Sequence, residues 1–223
     1  PCLRTNRREP MKFNKDMLLL YAITDQQWAV DTPLYRQVES ALKGGATMIQ
    51  LREKELAEDR FIEEALVIGD LCHRYGVPLI INDNFNVALK SGADGVHVGS
   101  GDMPVEDVRR LAGRDFIIGA TAKTAEQAAA AEKAGADYLG IGAVFPSPTK
   151  SSAVRITTRQ LKEICSSVSI PAVAIGGINE NNIEALKGCG AAGVAVISAI
   201  FGAPDIAAAA AALKEKAKEV LFL

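Results

Sequence analysis

Gln50, Arg52 and Lys54 stand two apart where the apolar run "ATMI" ends. At the period of a strand they share one face, with Leu51 and Glu53 on the other. An amide and two cations side by side at the mouth of a buried strand form a complement to an anion. The next two apolar runs, "PLIIN" and "GVHVG", are followed by Asp83 and Asp102. Mg²⁺ takes one or two protein carboxylates and completes its shell with water and substrate phosphate, so two aspartates beside cations suit a metal-bound diphosphate. Asp83 carries a condition. Strict alternation sets Asn82 and Asp83 on opposite faces, so Asp83 reaches the site only if the strand has ended before it. Later in the chain, "IGGI" holds Gly176 and Gly177, which let a backbone approach an anion closely. In "VISAI", Ser198 and its neighbours would open a short helix with free N–H groups. Thr121, Ser147, Thr149 and Lys150 close two further runs.

These residues describe a pocket with two anion sites, one cationic and metal-assisted, the other made of main chain. Such a pocket suits the joining of a diphosphate ester to a phosphorylated acceptor, with pyrophosphate as the leaving group and no protein nucleophile. Each cluster has a plainer alternative. Arg52 and Lys54, taken alone, read better as rim residues paired with Glu53, Glu55 or Glu58. The double glycine fits a tight turn, and Asp102 before "MPVED" fits a helix N-cap. His97, inside "GVHVG", reads as a core histidine. An aldolase using Lys54 or Lys150 as a Schiff base is disfavoured, because neither lysine has apolar surroundings.

The elements that must hold these residues repeat one phrase: an apolar run, a polar or glycine-rich end, then an amphipathic stretch. Eight runs occur, at 18–24, 47–52, 78–83, 95–99, 116–121, 138–145, 171–177 and 193–198. Helical patterns cover 34–43, 57–75, 105–112, 125–134, 157–167, 181–187 and 205–220. Apolar runs without alternation, separated by helical periodicity, indicate parallel strands covered on both faces. Eight such units make a single (β/α)8 TIM barrel the leading fold, over residues 11–223, with a doubly wound open sheet behind it. In a barrel, chemistry gathers at the C-terminal ends of the strands, where the candidate anion and metal residues named above lie. Glycines in "GGA", "SGADG", "AGADY" and "CGAAG" would end helices before the chain turns back.

Composition sets the limits. The chain has 223 residues, 48% of them hydrophobic, and a formal net charge of −2, which excludes a general attraction for nucleic acid or acidic membranes. No apolar run approaches the roughly 20 residues of a membrane span. Cys2, Cys72, Cys165 and Cys189 are scattered without metal-ligand spacing and read as reduced thiols of a cytoplasmic protein. Residues 1–10, before Met11, read as a leader or cloning remnant. A homo-oligomer is compatible with all of this.

"QLREK", "IIND", "GVHVG" followed by "DMP", "GADYLGIGAVFPSPTK", "AIGGI" and "GVAVISAI", in this order, resemble the thiamine-phosphate synthase family along essentially the whole chain after Met11. The resemblance implies coupling of 4-amino-2-methyl-5-hydroxymethylpyrimidine diphosphate to 4-methyl-5-hydroxyethylthiazole phosphate, giving thiamine phosphate and pyrophosphate through a pyrimidine-stabilised carbocation. It implies that Gln50, Arg52, Lys54, Asn82, Thr121 and Lys150 hold the pyrimidine diphosphate, with Mg²⁺ on Asp83 and Asp102. Arg52, Lys54, Thr121 and Lys150 would be the catalytic residues. Ser147, Thr149, Gly177, Ile197 and Ser198 would meet the thiazole phosphate. The chain departs from the family's pattern at Ser100 and Gly101, where a Gln and an acidic residue are common, and at Lys123, where a His often stands. A paralogue resembling thiazole tautomerase would share the phosphate cup, but Asn82, Asp83, Asp102 and Lys150 argue against it. A non-catalytic phosphate sensor on the same barrel would bind phosphate without Mg²⁺.

Overall fold

The computed structural model describes residues 11–29, 32–146 and 154–222. Eight parallel strands close into a barrel in chain order: β1 Leu20–Ile23, β2 Met48–Leu51, β3 Leu79–Asn82, β4 Gly95–Val98, β5 Ile117–Ala122, β6 Tyr138–Gly142, β7 Ala172–Ile175 and β8 Gly193–Val196. The helices are α1 Leu34–Lys43, α2 Glu58–Arg74, α3 Phe85–Ser91, α4 Val105–Ala112, α5 Ala125–Ala134, α6 Thr158–Ser166, α7 Ser198–Phe201 and α8 Ile206–Phe222. β1 pairs with β8, so the sheet has no edge and the open-sheet alternative is set aside.

The unbroken apolar runs have a physical reason: both faces of every strand are covered. Leu20, Ala22, Leu79, Ile81, Ala172 and Ala174 pack outward against the helices. Tyr21, Ile23, Ile80 and Val173, one residue out of phase, fill the barrel interior. A short 3-10 turn, Lys15–Leu18, closes the base, and Phe13 stacks on Tyr138 with ring centroids 5.8 Å apart.

The sequence's glycine signals mark real turns. Gly45, Gly92, Gly135 and Gly190 all have positive φ. Polar side chains just after three of these turns also set the register. Asp94 of "GAD" accepts from Leu79 N at 2.8 Å, and Asp137 of the second "GAD" accepts from Ile118 N at 2.7 Å. Thr47 Oγ1 does the same for Leu20 N at 2.9 Å. Three side chains before β2, β4 and β6 thus fasten amides at the start of β1, β3 and β5, away from the mouth.

Two elements differ from the sequence reading. α3 carries no long helical period, yet forms seven residues behind an Asn84 cap whose side chain accepts from Val87 N. The helix expected over 181–187 is a 3-10 turn, Ile183–Leu186. There Asn179 and Asn182 bond the local backbone, which competes with helical pairing. Among the described residues no helix is long and apolar enough to cross a membrane.

Candidate active site

The C-terminal ends of the strands surround a cavity of about 370 Å³. Gln50, Arg52, Lys54, Asn82, Asp83, Asp102, Thr121, Gly176, Gly177, Ile197 and Ser198 all line it. Ser147, Thr149 and Lys150 lie outside the described residues.

Beyond the end of β2, Arg52 and Lys54 do not pair with the neighbouring glutamates, which removes the rim reading. Arg52 Nη1 lies 2.8 Å from Asp25 Oδ2, and both side chains are mostly buried. Lys54 Nζ lies 2.5 Å from Asp83 Oδ2. Glu53 turns the other way and shares the Gln26 amide with Glu64. Burial and then the Glu64 charge push its carboxyl up to about 7.

The condition on Asp83 is met by backbone geometry. β3 ends at Asn82, and Asp83 has φ 63°, the left-handed region that Asp tolerates better than most residues. Its carboxylate thereby turns into the cavity, receiving Asn82 Nδ2 at 2.7 Å. Asp102 does not cap α4, whose N-cap is Pro104. Its Oδ2 instead accepts from Gly99 N at 2.7 Å. Burial raises the Asp102 carboxyl, and the Asp83 carboxylate adds to the rise against the pull of the Gly99 amide and Lys54. The Asp83 carboxylate beside it favours a proton or a cation at Asp102. Lys54 supplies one ammonium, and the donor set, hard oxygens from two aspartates beside open space, fits Mg²⁺. Ser100, Gly101 and Lys123 also line the cavity, so each departure from the family pattern falls at its wall.

The opposite wall is built differently. Gly176 and Gly177 have φ 102° and 64°. A Cβ at Gly177 would fall on the carbonyl oxygens of Phe145 and Pro146. The Asn182 and Asn179 amides both donate to Gly177 O, at 2.9 and 3.3 Å, which holds the loop in shape. α7 opens at Ser198 with no side-chain cap from Ile197, so its first N–H groups are not taken by a capping residue.

Sequence reasoning missed three things. His97 is buried, as a core residue should be, but it also lines the cavity. Tyr21 and Tyr138, inside β1 and β6, are hydrogen-bonded to the site. Asp25 follows a strand end as one more polar residue, and nothing near it in the chain marks it as the Arg52 partner. The signal for the tyrosines was present in "YAIT" and "GADYLG", where an aromatic stands at an inward position among aliphatics and glycine.

A closed eight-stranded barrel with its polar cavity gathered at the C-terminal mouth defines a (β/α)8-barrel enzyme, here with cations, a carboxylate pair and a glycine loop at that mouth. The family model described as thiamine monophosphate synthase matches residues 20–200. A thiamine-phosphate synthase of Coprothermobacter proteolyticus is 48% identical over 201 residues, covering 90% of this chain and 95% of that protein. One from Clostridium acetobutylicum is 46% identical over 187 residues, 84% of this chain and 89% of its own. The solved thiamine phosphate pyrophosphorylase from Pyrococcus furiosus superposes with a TM-score of 0.86 at 41% identity, covering 93% of this chain and 98% of that one. The chain belongs to the thiamine monophosphate synthase family.

Proposed function

We propose that this enzyme makes thiamine phosphate by joining 4-amino-2-methyl-5-hydroxymethylpyrimidine diphosphate to 4-methyl-5-hydroxyethylthiazole phosphate. One observation carries the reading: a single cavity has a cation-and-carboxylate wall facing a main-chain wall. The first wall suits a diphosphate and the second a lone phosphate.

In this reading Arg52 and Lys54 bind the diphosphate and stabilise the charge that grows on it as the bond to the pyrimidine methylene breaks. The electron pair leaves with pyrophosphate, the pyrimidine ring carries the positive charge, and the thiazole nitrogen supplies the pair for the new C–N bond. Asp83 and Asp102 would hold Mg²⁺, which when bound neutralises diphosphate oxygens. Gln50, Asn82 and Thr121 line the pyrimidine side, and Lys150 is assigned to the diphosphate by the family resemblance. Gly177, Ile197 and Ser198, with Ser147 and Thr149 from the same resemblance, receive the thiazole phosphate. No group on this chain needs to attack carbon. Water exclusion and charge placement are the protein's main tasks.

The test is pyrophosphate release on mixing both substrates with Mg²⁺. Release should require both substrates and stop with a chelator. Release from the pyrimidine diphosphate alone at the full rate, or none with both, would remove the reading.

A further inference from the structure

Five side chains cross the barrel interior as one hydrogen-bonded line. Gln50 Nε2 donates to Tyr21 Oη at 2.6 Å; Tyr21 and Tyr138 hydroxyls lie 2.8 Å apart; Tyr138 Oη is 3.1 Å from His97 Nδ1; His97 Nε2 is 3.1 Å from Thr121 Oγ1. The line joins β2, β1, β6, β4 and β5, and both of its ends line the cavity. We infer that Tyr21, Tyr138 and His97 are positioning residues, which fix Gln50 to present its carbonyl oxygen, and Thr121 its hydroxyl hydrogen, to the substrate ring. The inference rests on the proposed function for the identity of that ring.

The direction comes from counting hydrogens. Tyr21 Oη accepts from the Gln50 amide, so its own hydrogen goes to Tyr138, its remaining hydroxyl neighbour in the line. A buried hydroxyl hydrogen left without an acceptor is expensive. Tyr138 then donates to His97 Nδ1, which leaves His97 neutral with its proton on Nε2, facing Thr121 Oγ1. Thr121 accepts that proton's bond and turns its own hydrogen to the cavity. Burial pushes both tyrosine hydroxyls well above their ordinary range, so both phenols keep their hydrogens. Space has been cleared for it. A Cβ on Gly119 would strike the Tyr138 phenol and lie 2.5 Å from His97 Nδ1, and one on Gly140 would lie 2.9 Å from His97 Cε1. A carbonyl oxygen at one end and an O–H at the other complement an exocyclic amine and a ring nitrogen, both of which a 4-aminopyrimidine has.

Two measurements test this. In the native protein, long-range ¹⁵N–¹H correlation of His97, separated from His73 by the His73→Gln variant, should show the proton on Nε2. A proton on Nδ1 would reverse the line and overturn the inference, whatever the activity. Kinetically, wild type should favour the 4-amino substrate over its desamino analogue. Tyr21→Phe and Tyr138→Phe should each reduce that preference roughly tenfold, raising KM for the pyrimidine and leaving that for thiazole phosphate within about twofold. An unchanged preference in a folded variant, or none in wild type, would overturn it. Should wild type use neither pyrimidine, the proposed function fails while the ¹⁵N result still judges the line.

Discussion

In the proposed reading the two walls of the cavity face the same kind of ligand and solve the problem with different atoms. From β2 to β4 the work falls to side chains: Arg52, Lys54, Asp83 and Asp102, each held by a named partner. From β6 to β8 it falls to main chain, through Gly176, Gly177 and the start of α7. The difference suits the two tasks. A departing diphosphate gains charge during the reaction and rewards full charges and a metal. A phosphate that only anchors its substrate keeps constant charge, and fixed dipoles serve it without further desolvated cations.

That contrast can be broken first at the carboxylates. Asp102→Ala removes half of the proposed metal site, and turnover should fall about 10³-fold with a raised Mg²⁺ requirement. Pyrophosphate release across a Mg²⁺ titration checks it; unchanged activity at low Mg²⁺ would take Asp102 out of the site. On the main-chain wall, Gly177→Ala forces a side chain into a left-handed position against two carbonyls. It should raise KM for thiazole phosphate roughly 10- to 100-fold and leave the pyrimidine KM within a few-fold. Equal loss for both substrates would mean the two walls are not separate.

Smaller effects sharpen the same division. Asp25→Ala frees the Arg52 guanidinium and should lower kcat/KM for the pyrimidine diphosphate about tenfold, with the protein still folded by circular dichroism. Ser198→Ala should weaken thiazole phosphate only about fivefold, because backbone donors persist; complete loss would contradict a main-chain cup.

The smallest effect concerns stability. The folded Glu53 carboxyl, at about 7, lies above its ordinary 4.5, so folding favours the protonated form. Its contribution is full below pH 4.5 and lost as pH rises through 7. Glu53 is partly exposed, which limits the size. Wild-type Tm should fall by roughly 2 °C more than that of Glu53→Gln between about pH 5 and 8 in scanning calorimetry.

The side-chain wall was more legible in the sequence than the rest, for reasons of distance along the chain. Gln50, Arg52 and Lys54 announce themselves within five residues, and the eightfold repeat of apolar run and helix gives the barrel. The glycine loop was legible as a tight turn or close backbone approach, because two adjacent glycines follow a buried strand. The tyrosine line was not: Tyr21 and Tyr138 are 117 residues apart, and only barrel closure brings β6 and β1 to the same interior. α3 was too short to display a period, and the asparagines after β7 converted an expected helix into a tighter turn. Asp83 sat between these cases, since its role depended on where β3 stopped.

Asp83 shows how much of the proposed metal site depends on where one strand stops. Its carboxylate enters the cavity because one residue leaves the extended region one step after the strand. Had pairing continued a single residue further, the same sequence would aim that oxygen at the helical shell. In the proposed reading, one torsion at a strand end therefore decides whether a second carboxylate is available to a divalent ion, with no acidic residue added or removed.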